Sequence, residues 1–72
     1  MTIQEKKEAY EIIGRYPQIN YVVIDRHTKY QPIIACWSFC DDDYTWGQGH
    51  YFDTKEDAFA YINEKIANLE ND

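Results

Sequence analysis

The 72-residue sequence has few basic residues and no long apolar run, and these two shortages exclude several classes of protein. Seven Lys and Arg stand against thirteen Asp and Glu, so the formal net charge is −6 and the chain repels phosphate backbones. No segment approaches the roughly 20 apolar residues of a membrane span, and the N-terminal residues contain no apolar segment of the kind found in signal peptides. We therefore expect a cytoplasmic protein that does not enter a membrane and for which direct nucleic-acid binding is disfavoured.

Cysteine is scarce as well, and its spacing argues against both a disulfide and a zinc site. Cys36 and Cys40 lie in one apolar run. If that run is a strand, a rise of ~3.4 Å per residue separates their Cα atoms by about 13 Å. Disulfides require Cα atoms within about 7 Å, and one zinc ion requires convergent ligands. The sequence predicts free, half-buried thiols in a reducing compartment, with no metal ion and no cofactor.

The motifs that mark catalysis are missing too. Cys40 with His50 as base is the only Cys/His pair that one hairpin could join to an Asp. The chain has no nucleophile elbow and no glycine loop at a helix start, and its length leaves little room for a pocket that excludes water. We therefore expect no enzymatic activity, and a small enzyme or ligand carrier using Cys40 and His50 is the reading that we rank last.

Aromatic residues, in contrast, are abundant. They make up 17% of the chain, and each ring buries on the order of 150 to 250 Å². This composition is typical of a folded chain, and the length suits one core. Residues 1–72 are predicted to form a single domain, apart from a frayed end at Asn71 and Asp72.

The hydrophobic pattern predicts an α+β domain with the order helix, three-stranded antiparallel meander, helix (αβββα). Thr2 and Glu5 form a capping-box pattern ahead of a helix predicted over residues 3–13, with Gly14 as its end. A second helix is predicted over residues 55–69, after the N-cap candidates Asp53 and Thr54. Strands are predicted from Ile19 to Arg26, from Ile33 to Cys40 and from Tyr44 to Phe52.

Both helices are expected on one face of this sheet, packed against the odd-numbered residues of the second strand. Those residues are Ile33, Ala35, Trp37 and Phe39. The other face then remains bare, because no further element is left to cover it. A bare face is a place for a partner or for a second copy of the chain.

The candidate contact surface is the segment from Asp41 to His50. It brings carboxylates, aromatic rings and an imidazole together in ten residues, namely Asp41, Asp42, Asp43, Tyr44, Trp46 and His50. Tyr and Trp are enriched in protein interfaces. In the alternative, Trp46 pairs with Trp37 or Phe39 and completes the core.

Asp41, Asp43 and Thr45 have the spacing of the first calcium-loop ligands, but Trp46 and Phe52 replace the required Gly and Glu, so we expect a structural turn.

Gly47 and Gly49 lie only two residues apart within the third predicted strand. This spacing indicates a bulge or a close approach of the backbone to another group.

Three functional hypotheses follow. The first is a protein-interaction or accessory module that binds a protein partner or itself through the bare face and the hairpin. The second is an acidic inhibitor or nucleic-acid mimic, of the type found in phages and mobile elements, that binds a basic protein. The third is the small enzyme or ligand carrier described above.

Overall fold

The computed structural model describes residues 2–70, which form a four-stranded antiparallel sheet. In the chain, a short helix precedes the sheet and a long helix follows it. The elements are α1 (Ile3–Ala9), β1 (Glu11–Tyr16), a 3-10 turn (Pro17–Ile19), β2 (Tyr21–Asp25), β3 (Ile33–Trp37), β4 (Gln48–Phe52) and α2 (Lys55–Glu70). The strands lie side by side in chain order, β1-β2-β3-β4. The α+β class and the antiparallel sheet are confirmed, but the sheet has four strands instead of three. The predicted frayed residues 71–72 lie outside the described residues.

The additional strand begins in residues 11–13, which were predicted to complete the first helix, and continues past the predicted helix end at Gly14 to Tyr16. The capping box at Thr2 is present, and α1 starts as expected. It ends at Ala9, however, and β1 pairs with β2 from Glu11 to Tyr16, with a β-bulge between Ile12 and Gly14. Adjacent β-branched residues fit a pleated strand better than a helix, and β2 supplies partners for their backbone groups. Tertiary pairing therefore overrides the helical spacing of this segment.

All three predicted strands are shorter than expected: β2 spans Tyr21–Asp25 instead of Ile19 to Arg26, because a 3-10 turn takes up Ile19. The other two are shorter because the chain between them folds into a turn. β3 ends at Trp37 instead of Cys40, since Ser38 has a left-handed backbone with φ of 59°. β4 begins at Gln48, and Cys40 and Thr45 form a single isolated bridge that closes the predicted acidic turn. The turn is confirmed, whereas the strand segments on either side of it are not.

One face of the sheet carries α2, whose predicted extent is confirmed to within one residue. Thr54 caps its N-terminus by accepting a hydrogen bond from the N–H of Asp57 at 3.2 Å. The core on this face consists of residues that are buried to nine tenths or more: Tyr21, Val23, Ile33, Ala35, Ala58 and Ile62. The prediction that Ile33 and Ala35 face a helix is confirmed. No helix within residues 2–70 is both long and apolar enough to cross a membrane.

The opposite face, which we call the second face, is not bare. Three side chains on it, Ile24, Ile34 and Cys36, are fully buried. The rings that pack over them include Tyr10, Phe39 and Trp46, supplied by the chain after α1 and by the loop between β3 and β4. The predicted bare face is therefore wrong, because an aromatic loop folds back over it. Phe39 belongs to this second face and not, as predicted, to the face that α2 covers.

The two helices do not share one face of the sheet as predicted. None of the residues of α1 is buried, and its last turn lies beside the loop that covers the second face. Lys7 Nζ is 6.0 Å from the centre of the Tyr44 ring. Helix α1 is thus a peripheral element, and only α2 contributes to the core.

Candidate functional site

Two of the three carboxylates in the acidic turn stabilise the turn itself. Asp41 accepts two hydrogen bonds from the Arg15 guanidinium, at 2.7 and 3.2 Å, and this pairing holds the pKa of Asp41 below its usual value. Asp43 accepts a hydrogen bond from Thr45 Oγ1 at 2.7 Å, which lowers the pKa of Asp43 in the same way. Asp42 is exposed. The negative charge of this turn is therefore partly neutralised within the chain.

The two aromatic residues of the predicted contact surface pack inward. Trp46 is half-buried and stacks on Phe39, with ring centres 6.3 Å apart and planes 13° from parallel. Tyr44 meets Phe39 edge-on at 5.2 Å, and Tyr10 lies 6.2 Å from Trp46 on another side. The alternative in which Trp46 contacts Phe39 and completes the core is confirmed. A contact surface formed by the turn stays a prediction.

His50 lies apart from the other predicted contact residues, on the face that carries α2. Its ring centre is 4.8 Å from that of Tyr61 and 6.5 Å from that of Tyr21. Cys40 is exposed in the turn that covers the second face. Within residues 2–70 no contact joins Cys40 to His50, so the structure does not assemble the nucleophile and base considered above.

The two cysteines have opposite environments instead of being equally half-buried. Cys36 is fully buried on the second face, and desolvation raises the pKa of its thiol to about 12. A thiol that stays protonated is a poor nucleophile and a poor metal ligand. Cys40 is exposed, and both thiols are free.

Metal ligands do converge, but not in the acidic turn. In the described part of the chain, only Glu11, Asp25 and His27 bring three donor atoms together, all within 4.8 Å of one another. Asp41, which the calcium-loop spacing suggested, is held by Arg15 instead. Sequence reasoning missed this group because its two carboxylates meet only when β1 pairs with β2, and β1 was predicted as helix.

The hydrogen bonds at the ends of β2 and β3 show which way the backbone groups of β3 point. Ser38 N–H donates to the carbonyl of Asn20, and Arg26 N–H donates to the carbonyl of Pro32. In an antiparallel pair, hydrogen-bonded and non-bonded residue pairs alternate. The even-numbered residues of β3 therefore bond to β2, and the odd-numbered ones point their backbone groups toward β4.

Because of this alternation, half of the backbone N–H and C=O groups of β4 point toward β3 and the other half point away from it. The odd residues of β3 pair with Gln48, His50 and Phe52, whose N–H and C=O groups therefore point into the sheet. Gly49 and Tyr51 point theirs away from it. These outward groups lie on a strand with no further strand beyond it, and no hydrogen bond to them occurs among residues 2–70.

Nothing in β4 discourages a further strand from pairing with this edge. The strand Gln48–Phe52 contains no charged residue and no proline, and its register with β3 is regular. The Tyr51 side chain is 47% exposed. Natural sheets block their edges with charges, prolines or bulges. The residues of β4 supply none of these, although a charge from outside the strand, the Arg26 guanidinium, lies 5.1 Å from the centre of the Tyr51 ring.

The glycines before and within β4 fit the close approach that their spacing predicted. A Cβ on Gly49 would lie 2.9 Å from Trp46 Nε1, and one on Gly47 would lie 3.0 Å from the Trp37 ring. No φ in the left-handed region is involved at either position. The indole of Trp46 therefore packs directly against the backbone of β4 at Gly49.

The other edge of the sheet, β1, is protected. The bulge between Ile12 and Gly14 interrupts the row of outward backbone groups. Glu11 and Arg15 add charge to it, and both are exposed. A strand approaching this edge meets an irregular register and two charged side chains.

Comparison with known proteins adds no relative to these observations. No protein-family model matches the chain, and neither the curated proteins nor the solved structures gave a match.

Proposed function

We propose that this chain is a non-enzymatic interaction module that self-associates by pairing β4 with β4 of a second copy. The observation that carries the proposal is the open edge of β4, where the backbone groups of Gly49 and Tyr51 point outward without any protective device. An edge of this kind is a template for another strand. The second copy is favoured as occupant because the edge is complementary to itself.

The self-complementary register is antiparallel and centred on His50. With His50 opposite His50 of the second copy, Gly49 lies opposite Tyr51 of the second copy, and Tyr51 lies opposite its Gly49. Both of these are hydrogen-bonded pairs, because the backbone groups of these two residues are the ones that point outward. The arrangement forms four hydrogen bonds and uses every outward N–H and C=O of the two strands.

Side chains complement one another in the same register. Gly49 has no side chain, so the exposed ring of Tyr51 from the second copy lies over its backbone on the second face. On the face that carries α2, the half-buried ring of Phe52 lies opposite Gln48. The strand itself is uncharged, which keeps the net charge of −6 on each copy away from the contact.

We expect a weak dimer. Each backbone hydrogen bond contributes a net stabilisation of about 1 kcal/mol. Four of them only approach the lower end of the roughly 4 to 15 kcal/mol that association costs in lost translation and rotation. The rings of Tyr51 and Phe52 must supply the remainder, so dimer and monomer exchange with concentration.

The acidic inhibitor or nucleic-acid mimic is less well supported. Mimicry requires uncompensated carboxylates, and Arg15 already pairs with Asp41 through both carboxylate oxygens.

Two free thiols in one small domain suit a reducing compartment, and the proposal therefore includes a location in the cytoplasm. The proposal assigns no catalytic step and no cofactor.

The experiment that tests the proposal compares two substitutions at one position by sedimentation equilibrium over a range of concentrations. Tyr51→Pro removes the outward N–H, and it leaves the β3–β4 hydrogen bonds intact because that N–H does not point toward β3. Tyr51→Ala removes the same ring but keeps the donor, so it is the matched control. Circular dichroism verifies that both variants fold.

We expect the wild type to change from monomer to dimer as concentration rises, Tyr51→Ala to associate more weakly, and folded Tyr51→Pro to stay monomeric throughout. A wild type that is monomeric at every concentration overturns the proposal. It is overturned equally if folded Tyr51→Pro associates as well as Tyr51→Ala.

A further inference from the structure

Three side chains with metal-ligating atoms converge at one end of the sheet. Glu11 lies opposite Asp25 in the β1–β2 register, and His27 follows Asp25 by two residues. His27 Nε2 is 3.2 Å from Glu11 Oε1, and His27 Nδ1 is 3.7 Å from Asp25 Oδ1. Taking one donor atom from each residue, all three atoms lie within 4.8 Å of one another. Side chains from two strands and the following turn thus form one cluster.

Asp25 places a buried carboxylate in this cluster, and a nearby positive charge stabilises such a group. The residue is only 9% exposed, and it accepts one hydrogen bond, from the N–H of His27 to Oδ1 at 2.8 Å. A buried carboxylate is unfavourable unless a cation or several donors compensate it. Among residues 2–70 neither Glu11 nor Asp25 forms an ion pair with Lys or Arg. Their one neighbouring base is His27, whose imidazole is positive only when protonated.

We propose that Glu11, Asp25 and His27 bind one divalent transition-metal ion of the zinc class. One imidazole nitrogen and two carboxylate oxygens are a donor set that such ions accept, with water in the remaining position. Bonds of about 2.1 Å in a tetrahedron place ligand atoms about 3.4 Å apart. The distance of 3.2 Å between His27 and Glu11 already fits this geometry.

The longer separations in the cluster can close without moving the backbone. The side chains of Glu11 and His27 are 59% and 56% exposed, so solvent rather than packed neighbours surrounds more than half of each, whereas Asp25 is buried. An ion bound here connects β1 to the turn after β2 and stabilises the folded chain by binding it preferentially. The site lies on β1 and β2, so it is independent of the self-association proposed for β4.

The test is isothermal titration of reduced, tag-free protein with zinc chloride. Glu11→Gln and His27→Ala each remove one ligand from an exposed position, and circular dichroism verifies their folding. Asp42→Asn removes an exposed carboxylate elsewhere, and Cys40→Ser removes the exposed thiol, which is the competing zinc ligand. Heteronuclear NMR of the wild type locates the ion through the amide signals of Glu11, Asp25 and His27.

We expect one zinc ion per chain, binding weakened by about tenfold or more in Glu11→Gln and in His27→Ala, and binding unchanged in the two controls. The absence of saturable binding overturns the proposal. Binding that survives both ligand substitutions, or that disappears in Cys40→Ser, also overturns it.

Discussion

The sheet ends in β1 on one side and in β4 on the other, and these two edge strands differ in the features that control pairing. β1 is interrupted by a bulge and carries Glu11 and Arg15, both charged and exposed. β4 is regular and uncharged, and Tyr51 is exposed along it. In the part of the chain that the structure describes, neither strand has a neighbouring strand on its outer side. A bulge and charged side chains protect an edge strand from pairing. β1 has this protection and β4 does not.

The support beneath the two edges differs as well. β4 packs against the Trp46 indole at Gly49 and against the buried residues of the second face. In β1 the corresponding glycine, Gly14, is approached most closely by the Tyr16 ring, a single half-buried side chain from the same strand. The regularity of β4 therefore depends on a packed aromatic loop.

The largest effect is expected from Trp46→Ala, which removes the support of β4. The loss of a half-buried indole stacked on Phe39 should lower the free energy of unfolding by about 2 to 4 kcal/mol. Trp37→Ala is the matched control, because Trp37 is 42% exposed and should cost about 1 kcal/mol or less. Urea denaturation measures both values. Equal losses would show that β4 does not depend on the aromatic loop.

A methyl group added to each edge should have a smaller and unequal effect. In Gly49→Ala the new Cβ meets Trp46 Nε1 at 2.9 Å and Ile34 Cγ2 at 3.2 Å, both in packed positions. We expect a destabilisation of about 1 to 3 kcal/mol. Gly14→Ala has its nearest contacts with the Tyr16 side chain alone, whereas Gly49→Ala meets two side chains, so Gly14→Ala should cost less. Thermal denaturation compares the two variants. A larger loss of stability for Gly14→Ala would contradict the claim that β4 is more tightly packed at its glycine than β1 is.

Alkaline pH should weaken the second face through Cys36. Burial raises the pKa of this thiol to about 12, above the ordinary value of 9.0, so the unfolded chain releases the proton at a lower pH than the folded chain does. Stability is therefore retained below pH 9 and falls between pH 9 and 12, by at most about 1.4 kcal/mol per pH unit.

Urea denaturation across this pH range measures the loss, with Cys36→Ala as the control that removes the titrating group. The same slope in wild type and variant would assign the loss to other groups, such as the tyrosines.

The smallest effect is expected from salt, and its sign separates the two leading functional hypotheses. Two copies that each carry a net charge of −6 repel each other, so added salt should strengthen self-association through β4 by less than about 1 kcal/mol. An acidic mimic bound to a basic protein should instead weaken as salt rises. Sedimentation at two ionic strengths gives the sign, and weaker self-association at high salt contradicts a neutral interface.

Local signals in the sequence predict the parts of the fold that depend on neighbouring residues alone. The capping box at Thr2 and the apolar stripe of α2 are complete within one helix, and the acidic residues 41–43 form a turn through their own backbone preferences. These predictions are confirmed. Both thiols are free as predicted. The prediction placed Cys36 and Cys40 in one strand, however, and β3 ends before Cys40, so its premise is wrong and their unequal burial was not anticipated.

Features that depend on pairing between distant segments could not be predicted. Ile12 and Ile13 fit a helical stripe as well as a strand, and only β2 as a neighbour decides for the strand. The neutral composition of residues 48–52 is visible in the sequence, but it becomes informative only when β4 is known to be an edge. The Glu11, Asp25 and His27 cluster is hidden for the same reason.

Self-association through β4 is tested most directly by amide hydrogen exchange at Gly49 and Tyr51, followed by NMR at low and high protein concentration. His50, whose N–H points toward β3, is the internal reference. Arg15 is the reference on the other edge, because it pairs with Val22, which bonds to β3, and so points its N–H away from the sheet. We predict that exchange at Gly49 and Tyr51 slows as concentration rises while Arg15 does not change. Rapid exchange at both residues at every concentration would contradict pairing through β4.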